Sequence, residues 1–246
     1  MIGEKTISLC MVVYNPGQLL IEAIDSVDEI IDEIILVDQG SSEEESRLMI
    51  TYLNGKQIGG KSTFYHKTTN KGNADYDRQF CYSLASKEYI LALDADETIS
   101  EENLLKIKKL LSIYSPDCVW FLFKNTIFLD GVVVDLKDLL GDDPHPRLWK
   151  KDITVNGQPT PALLWPIEAH QYPNILSDRQ IYANIFFDHN RSLENVIRTH
   201  LLRGKNISPQ AREVEKKFIQ AVLKKFGDEV KQKIIVNVPE LEEYLK

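Results

Sequence analysis

Strand-like and helix-like segments alternate along the first half of the chain. Strands are predicted at Thr6–Tyr14, Ile30–Val37, Ser62–His66 and Tyr89–Leu93, and most of these segments are nearly continuous apolar runs. Such runs are typical of strands that are buried on both faces of a parallel sheet. Apolar residues at helical spacing follow each strand, and this alternation predicts βαβ units up to about residue 115. We therefore expect an α/β fold with a mainly parallel central sheet flanked by helices.

The pattern changes after Pro116. Val119–Phe123 and Thr126–Val134 have the pattern of two longer strands, with a turn near Lys124-Asn125, or at Asp130-Gly131 if the second strand is shorter. This pair indicates a mixed or antiparallel addition to the sheet.

The last part of the chain is predicted to be a loop region followed by helices. Gly141–Pro173 is rich in Pro and Asp, which indicates an active-site loop with short strands, and helical spacing returns from Ser192. We place a sheet-containing domain at 1–191, divided near residue 115 into 1–115 and 116–191, and a helical extension at 192–246.

Composition narrows the class of protein. The chain has 246 residues and a net charge of −8, from 29 basic and 37 acidic residues, which argues against a nucleic-acid binder. No apolar run has the length of a membrane span, and the strand-like start argues against a signal peptide. The three cysteines, Cys10, Cys81 and Cys118, lie far apart in the sequence and show no paired spacing. This is expected for reduced thiols. We expect a cytoplasmic protein.

Polar clusters follow three of the predicted strands: Tyr14-Asn15, Asp38-Gln39-Gly40-Ser41 and Asp94-Ala95-Asp96-Glu97. Ligands of open α/β sheets bind beyond the carboxyl ends of the strands, so the common placement indicates a binding site. Asp94 and Asp96 could hold Mg²⁺ or Mn²⁺ through carboxylate oxygens, with phosphates completing the shell. The alternative is a turn whose aspartates cap the next helix, and Asp38 could likewise be a plain turn residue.

Four ordered segments carry a recognisable pattern. The segments are Ser8-Leu9-Cys10-Met11-Val12-Val13-Tyr14-Asn15, Glu33-Ile34-Ile35-Leu36-Val37-Asp38-Gln39-Gly40-Ser41, Asn70-Lys71-Gly72 with Arg78-Gln79, and Tyr89-Ile90-Leu91-Ala92-Leu93-Asp94-Ala95-Asp96-Glu97. Together they resemble family 2 glycosyltransferases, and the resemblance covers roughly residues 5–100. The closest similarity is to the branch with lipopolysaccharide-core glucosyltransferases, whose Arg-Leu-Phe segment resembles His145-Pro146-Arg147-Leu148-Trp149-Lys150. The chain departs from the family at Ser42-Glu43 and at Gln79.

The resemblance implies the GT-A fold, transfer of a sugar from a nucleotide donor, and roles for individual residues. It implies that Asp96 binds Mn²⁺ or Mg²⁺ and that Asp94 binds the metal, one of its waters or the ribose. UDP is the donor nucleotide that the family favours. The residues expected at the nucleotide sugar are Tyr14, Asn15, Asp38, Lys71, Arg78, Asp94, Ala95 and Arg147.

Transfer to an acceptor hydroxyl needs a base, because the hydroxyl must lose its proton. Family 2 members invert the anomeric centre in one displacement, so one carboxylate is expected opposite the departing diphosphate. Glu168 and the pair Asp142 and Asp143 are equal candidates, and a solvated loop carboxylate is the alternative for each. The acceptor is a glycan, a lipid-linked sugar or another hydroxyl compound.

Other residues could contribute, although each also has a simpler explanation. His189 could be a third metal ligand or could cap the helix after Ser192. Trp149, Trp165 and Tyr172 could stack on a sugar, but such aromatic residues are more often core. Basic residues after residue 202 could contact an anionic membrane, although interleaved glutamates favour a solvated helix face.

Two other functions are compatible with parts of this pattern. A sugar-nucleotide nucleotidyltransferase shares a related core, but it needs a glycine-rich segment where this chain has Tyr14-Asn15-Pro16-Gly17. A protein that binds nucleotide sugars without turnover would keep the fold, and metal-dependent hydrolysis of the donor would distinguish it from an enzyme.

Overall fold

The structure is a computed structural model. It describes residues 5–69, 74–129, 132–137, 144–155, 158–161, 163–164, 174–175, 179–193, 196–197, 201, 209–238 and 240–245. Its strands are β1 (Ile7–Val13), β2 (Glu33–Asp38), β3 (Ser62–Lys67), β4 (Tyr89–Ala92), β5 (Glu97–Ile99), β6 (Cys118–Leu129), β7 (Val132–Asp135), β8 (His145–Lys150), β9 (Asp152–Val155), β10 (Gln158–Pro161), β11 (Leu163–Leu164), β12 (Asn174–Ile175) and β13 (Gln180–Ser192). Its helices are α1 (Gln18–Val27), α2 (Glu43–Ile58), α3 (Ala74–Leu84), α4 (Glu101–Ile113), α5 (Pro209–Phe226), α6 (Asp228–Asn237) and α7 (Glu240–Leu245).

The chain divides into two compact units. The first comprises residues 1–123 and 144–187, and the second comprises residues 124–143 and 188–246. The proposed domain division near residues 115 and 191 stays a prediction.

The first unit is built on parallel pairing at its centre. β1 pairs in parallel with β2 and β4, and β2 pairs in parallel with β3. β8 runs antiparallel between β4 and β6. The order across the sheet is β3-β2-β1-β4-β8-β6-β13-β5. The α/β fold with a mixed second half is therefore confirmed.

Strand β2 shows why the apolar runs predicted buried strands. Ile34 and Leu36 contribute to a core cluster that includes residues of α1, α2 and α4. Ile35 and Val37 contribute to a second cluster, which includes residues of α3. Successive side chains of a strand point to opposite faces, so a strand covered on both faces needs apolar residues at every position.

The second unit contains a hairpin and the last three helices. β6 is continuous to Leu129, and its residues 126–129 pair antiparallel with β7. β6 therefore continues through Lys124-Asn125, the first of the two predicted turn positions, and the second, Asp130-Gly131, lies outside the described residues. Apolar residues of this unit form their own core, which includes Ile127, Leu193, Ile219, Val222 and Leu241.

The length and the surface of the described helices bear on membrane contact. No helix in the described ranges is long and apolar enough to cross a bilayer. Lys217, Lys224 and Lys225 on α5 are exposed, as expected for a solvated helix face.

The aromatic centre of the first unit gives a stability prediction. Phe187 is fully buried, and its ring packs at 5.0 Å from Phe121 and 5.6 Å from Phe123. We expect Phe187→Ala to lower the free energy of unfolding by about 3–5 kcal/mol because it leaves a cavity. Phe64→Ala, at a 41% exposed position of the same unit, is the matched control and should cost less than about 1.5 kcal/mol. Denaturant unfolding measures both variants, and equal losses would contradict the assignment of Phe187 to the core.

Candidate functional site

The carboxyl ends of β1, β2 and β4 meet at one edge of the sheet. Val13 at the end of β1 lies beside Asp38 at the end of β2, and Cys10 lies beside Ala92 near the end of β4. Backbone bonds continue the pairing beyond the strands, from Gln39 N to Val13 O at 2.9 Å and from Leu93 N to Cys10 O at 3.3 Å. The three polar clusters therefore follow neighbouring strands, as the sequence predicted.

Asn15 holds the loop after β1 against the loop after β2. Its backbone N–H donates to Ser41 Oγ at 2.8 Å, and its Oδ1 accepts from the Ser42 N–H at 2.9 Å. Asn15 has a φ of 44°, a left-handed conformation that asparagine tolerates better than most residues. Tyr14, the preceding residue, is 54% exposed at this edge.

Asp38 is fully buried and accepts hydrogen bonds from three groups. Oδ1 accepts from the Ser41 N–H at 2.8 Å, and Oδ2 accepts from Tyr65 OH at 2.6 Å and Ser46 Oγ at 3.0 Å. Burial alone would raise the pKa of Asp38, but the bonds from Ser41, Tyr65 and Ser46 together hold it below its usual value. Asp38 therefore carries its charge at neutral pH and links β2 to the start of α2 and to β3.

The acidic segment after β4 forms a tight turn. The Glu97 N–H donates to the Asp94 carbonyl oxygen at 3.1 Å, and the Asp94 N–H donates to Glu97 Oε2 at 3.1 Å. Glu97 is 1% exposed, whereas Asp94, Ala95 and Asp96 are half-buried. The two bonds fix the backbone on which Asp94 and Asp96 are carried.

Two arginines face the Asp94 carboxylate. Arg147 on β8 places Nη2 at 3.3 Å from Asp94 Oδ2, and Arg78 on α3 places Nη2 at 3.6 Å from Asp94 Oδ1. The same Nη2 of Arg147 lies 2.5 Å from Glu97 Oε1. These groups adjoin a small cleft lined by Cys10, Val12, Arg78, Tyr82, Ala92, Leu93, Asp94 and Arg147.

Arg147 has one donor that lacks a partner among the described residues. The Arg147 side chain is 13% exposed and its guanidinium lies 5.1 Å from the centre of the Phe123 ring, yet its buried Nε makes no hydrogen bond there. A buried polar group normally has a partner, so an unsatisfied guanidinium nitrogen beside a cleft indicates an anionic ligand.

The carboxylates supply only part of the coordination shell of a metal ion. Among the described residues, no three His, Cys, Asp or Glu side chains lie close enough together to form a metal site. Asp94 and Asp96 lie in one turn and offer oxygen atoms, which Mg²⁺ and Mn²⁺ prefer, and phosphate oxygens and water would fill the other positions. The donor set thus fits a metal that binds together with a phosphorylated ligand.

His189 lies in the second unit and both of its ring nitrogens have partners. Nδ1 lies 2.8 Å from Asn125 Oδ1, and Nε2 accepts from Arg191 Nε at 2.7 Å. Its role as a metal ligand stays a prediction, and a metal would have to displace Arg191 to reach Nε2.

The remaining predicted residues are placed as follows. Lys71 and the three candidate bases Asp142, Asp143 and Glu168 lie outside the described residues, as do Trp165 and Tyr172. Trp149 is 2% exposed and packs edge-on against Tyr82 at 5.1 Å, so it is a core residue rather than a stacking surface for a sugar.

Sequence reasoning missed the importance of Glu97. It was noted only as the last residue of the Asp94-Ala95-Asp96-Glu97 segment, because a glutamate after a strand is normally a surface residue. The sequence offered no clear signal for it, because its partner Arg147 reaches it only through the antiparallel pairing of β8 with β4.

Comparison with sequence families and curated proteins finds glycosyltransferases. Residues 8–128 match glycosyl transferase family 2. The SPbeta prophage-derived glycosyltransferase SunS of Bacillus subtilis is 28% identical over 117 residues, which are 46% of this chain and 26% of that protein. An uncharacterized glycosyltransferase of Rickettsia felis is 29% identical over 113 residues, 46% of this chain and 36% of that protein. The chain thus spans between a quarter and two fifths of the length of these relatives.

Solved structures show a similar fold. S. aureus TarS 1–349 in complex with UDP aligns over 87% of this chain and 69% of that one, with a TM-score of 0.50 and 16% identity. The same protein in complex with UDP-GlcNAc aligns over 87% and 70%, with a TM-score of 0.50 and 14% identity. At these identities, the likeness supports the fold and not the ligand.

The hydrogen bonds of Asp38 predict a pH-dependent stability. We expect Asp38→Asn to lower the free energy of unfolding by about 2 kcal/mol at pH 7, because bonds to a charged acceptor are lost. The folded pKa of Asp38 lies below its unfolded value, so this contribution is complete above about pH 4 and is lost as the pH falls through the folded pKa. Urea unfolding at a series of pH values measures the difference between the native chain and the variant.

The exposed Asp152 provides the control for that measurement. Asp152→Asn should change the free energy of unfolding by less than about 0.5 kcal/mol at every pH. A difference between native chain and Asp38→Asn that does not shrink in acid would contradict the assigned role of Asp38.

The family match and the fold agree with each other and with the site. The matched residues include Asn15, Asp38 and the Asp94–Glu97 turn at the carboxyl edge of β1, β2 and β4, and Arg78 of α3, which lies 3.6 Å from Asp94. The chain therefore has an α/β fold like that of GT-A glycosyltransferases, and residues 8–128 are similar to glycosyl transferase family 2.

Proposed function

We propose that this chain transfers a sugar from a nucleoside-diphosphate sugar to an acceptor hydroxyl, with a divalent metal and with inversion at the anomeric carbon. The observation that carries the proposal is the arrangement at the sheet edge. Asn15 and Asp38 lie on one side, and the Asp94–Glu97 turn and the unsatisfied Nε of Arg147 adjoin the cleft after β4. This edge offers groups for a nucleoside, a metal and a diphosphate side by side.

UDP is the proposed donor nucleotide. TarS, which shares the fold, has been solved with UDP and with UDP-GlcNAc, and we propose the same class of donor here. Tyr14, Asn15 and Asp38 would lie at the nucleoside, while Lys71, Arg78 and Arg147 would lie towards the diphosphate. Because the relatives are much longer than the matched part, the sugar itself is not assigned.

The acidic turn would hold the metal ion whose positive charge the reaction needs. A bound Mg²⁺ or Mn²⁺ would neutralise the negative charge that develops on the departing diphosphate. Asp96 would ligate the metal directly, and Asp94, held between two arginines, would contact the metal, one of its waters or the ribose. Arg147 would donate Nε to a phosphate oxygen, which satisfies its free donor.

The acceptor hydroxyl must lose a proton to a carboxylate on the other side of the sugar. Glu168 and the pair Asp142 and Asp143 are equal candidates for this base. We propose a glycan, a lipid-linked sugar or another hydroxyl compound as the acceptor, and a cytoplasmic location for the protein. The lipopolysaccharide-core branch is part of this proposal, through the similarity of its Arg-Leu-Phe segment to residues 147–149.

Nucleotide binding tests the proposal. We expect one nucleotide among UDP, GDP, dTDP and CMP to bind with Mn²⁺, and binding to weaken at least about tenfold in Asp96→Ala, because a metal ligand is lost. Isothermal titration calorimetry with and without Mn²⁺ makes the measurement. Asp152→Ala is the matched control, since Asp152 is exposed on β9, and it should bind like the native chain. Binding that ignores both metal and Asp96 would contradict the proposal.

Single-turnover kinetics identify the base. We expect one of Glu168→Gln, Asp142→Asn and Asp143→Asn to slow sugar transfer by about 10²–10⁴-fold while nucleotide affinity stays unchanged, because only proton transfer is lost. Metal-dependent hydrolysis of the donor serves as the assay until the acceptor is known. If all three variants hydrolyse the donor and transfer the sugar at the native rate, the base lies elsewhere. A native chain that binds a donor but never turns it over is a binding protein.

A further inference from the structure

Glu97 joins three parts of the site through one buried carboxylate. Oε2 accepts the backbone N–H of Asp94, and Oε1 lies 2.5 Å from Nη2 of Arg147. The side chain is 1% exposed. The residue therefore connects the acidic turn after β4 to the cation of β8.

The Arg147 cation is shared unequally between two carboxylates. Its Nη2 is 2.5 Å from Glu97 and 3.3 Å from Asp94, so the shorter contact is the one to Glu97. A buried ion pair is sensitive to the removal of one partner, because the other charge is left uncompensated in a poorly solvated place. If the Glu97 charge were removed, Arg147 would be drawn towards Asp94, which is the other of the two carboxylates.

That redistribution would affect a metal ion. A cation drawn onto Asp94 competes with a second cation for the same oxygens and also repels it, since like charges in a partly buried site interact strongly. Holding Arg147 towards Glu97 therefore keeps Asp94 available at the metal side of the turn.

We infer that Glu97 is a positioning residue that takes the shorter contact with Arg147 and so limits the pull of that cation on Asp94, which lets the acidic turn accept a divalent metal. This inference rests on the proposed function, because it assigns a role towards the metal of that same site. The role assigned to Glu97 is that of a partner for Arg147 and for the Asp94 N–H, which its two oxygens accept, rather than that of a metal ligand. It acts on the metal through Arg147.

The test is the affinity for Mn²⁺ alone, measured by electron paramagnetic resonance of the free ion. We expect Glu97→Gln to weaken Mn²⁺ binding at least tenfold, because glutamine keeps the size of the side chain but not its charge. The double variant Glu97→Gln/Arg147→Gln should restore the affinity to within about threefold of native, because the competing cation is gone. A purely structural role for Glu97 predicts no such rescue.

Glu33 offers a matched control elsewhere in the same sheet. It is 7% exposed at the amino end of β2, and its carboxylate accepts from Ser8 Oγ and from the N–H and Oγ of Ser86. Glu33→Gln removes an equally buried charge at the opposite end of the strand from the site. It should lower the melting temperature and leave Mn²⁺ affinity within twofold of native.

The outcomes separate this inference from the proposed function. Native Mn²⁺ affinity in Glu97→Gln, or an equal loss in Glu33→Gln, overturns the inference while metal-dependent UDP binding by the native chain still stands. If the single variant does not fold, the double variant alone decides, and a tenfold loss of Mn²⁺ affinity in it overturns the inference. A native chain that binds no Mn²⁺, alone or with UDP, overturns both the inference and the metal in the proposed function.

Discussion

The parallel pairing of β1 with β2 and β4 is the constraint on which the site depends. Parallel strands end on the same side of a sheet, so the loops after β1, β2 and β4 converge whatever their own sequences are. The pairing requires strands that are apolar on both faces, and β2 meets this with alternate residues in two separate cores. The core thus determines where polar residues can form a site.

Polar groups at this edge form hydrogen bonds with one another. Asp38 is satisfied by three donors, Asn15 joins two loops, and Glu97 closes the acidic turn. Such networks are costly when incomplete, so each one fixes the position of its neighbours. Arg147 Nε differs from these groups because it has no hydrogen-bond partner within the described part of the chain, and a ligand with phosphate oxygens would complete the network.

Sequence patterns predicted the first half of the fold well because most strands there, such as β1, β2 and β4, are nearly unbroken apolar runs. They also placed Asn15, Asp38 and Asp94 at strand ends, where topology alone brings them together. The contact between Arg147 and Glu97 could not be predicted in the same way, because it joins positions 50 residues apart through antiparallel pairing of β8 with β4. The turn of the β6–β7 hairpin was ambiguous for a different reason: Lys124-Asn125 is as polar as a turn, yet β6 continues through it.

The most direct measurement is a crystal structure of the chain with UDP and Mn²⁺. The account predicts the uridine beside Asn15 and Asp38, with the diphosphate between a metal on Asp96 and the Nε of Arg147. UDP bound away from the carboxyl ends of β1, β2 and β4, or a metal bound without contact to the Asp94–Glu97 turn, would contradict it.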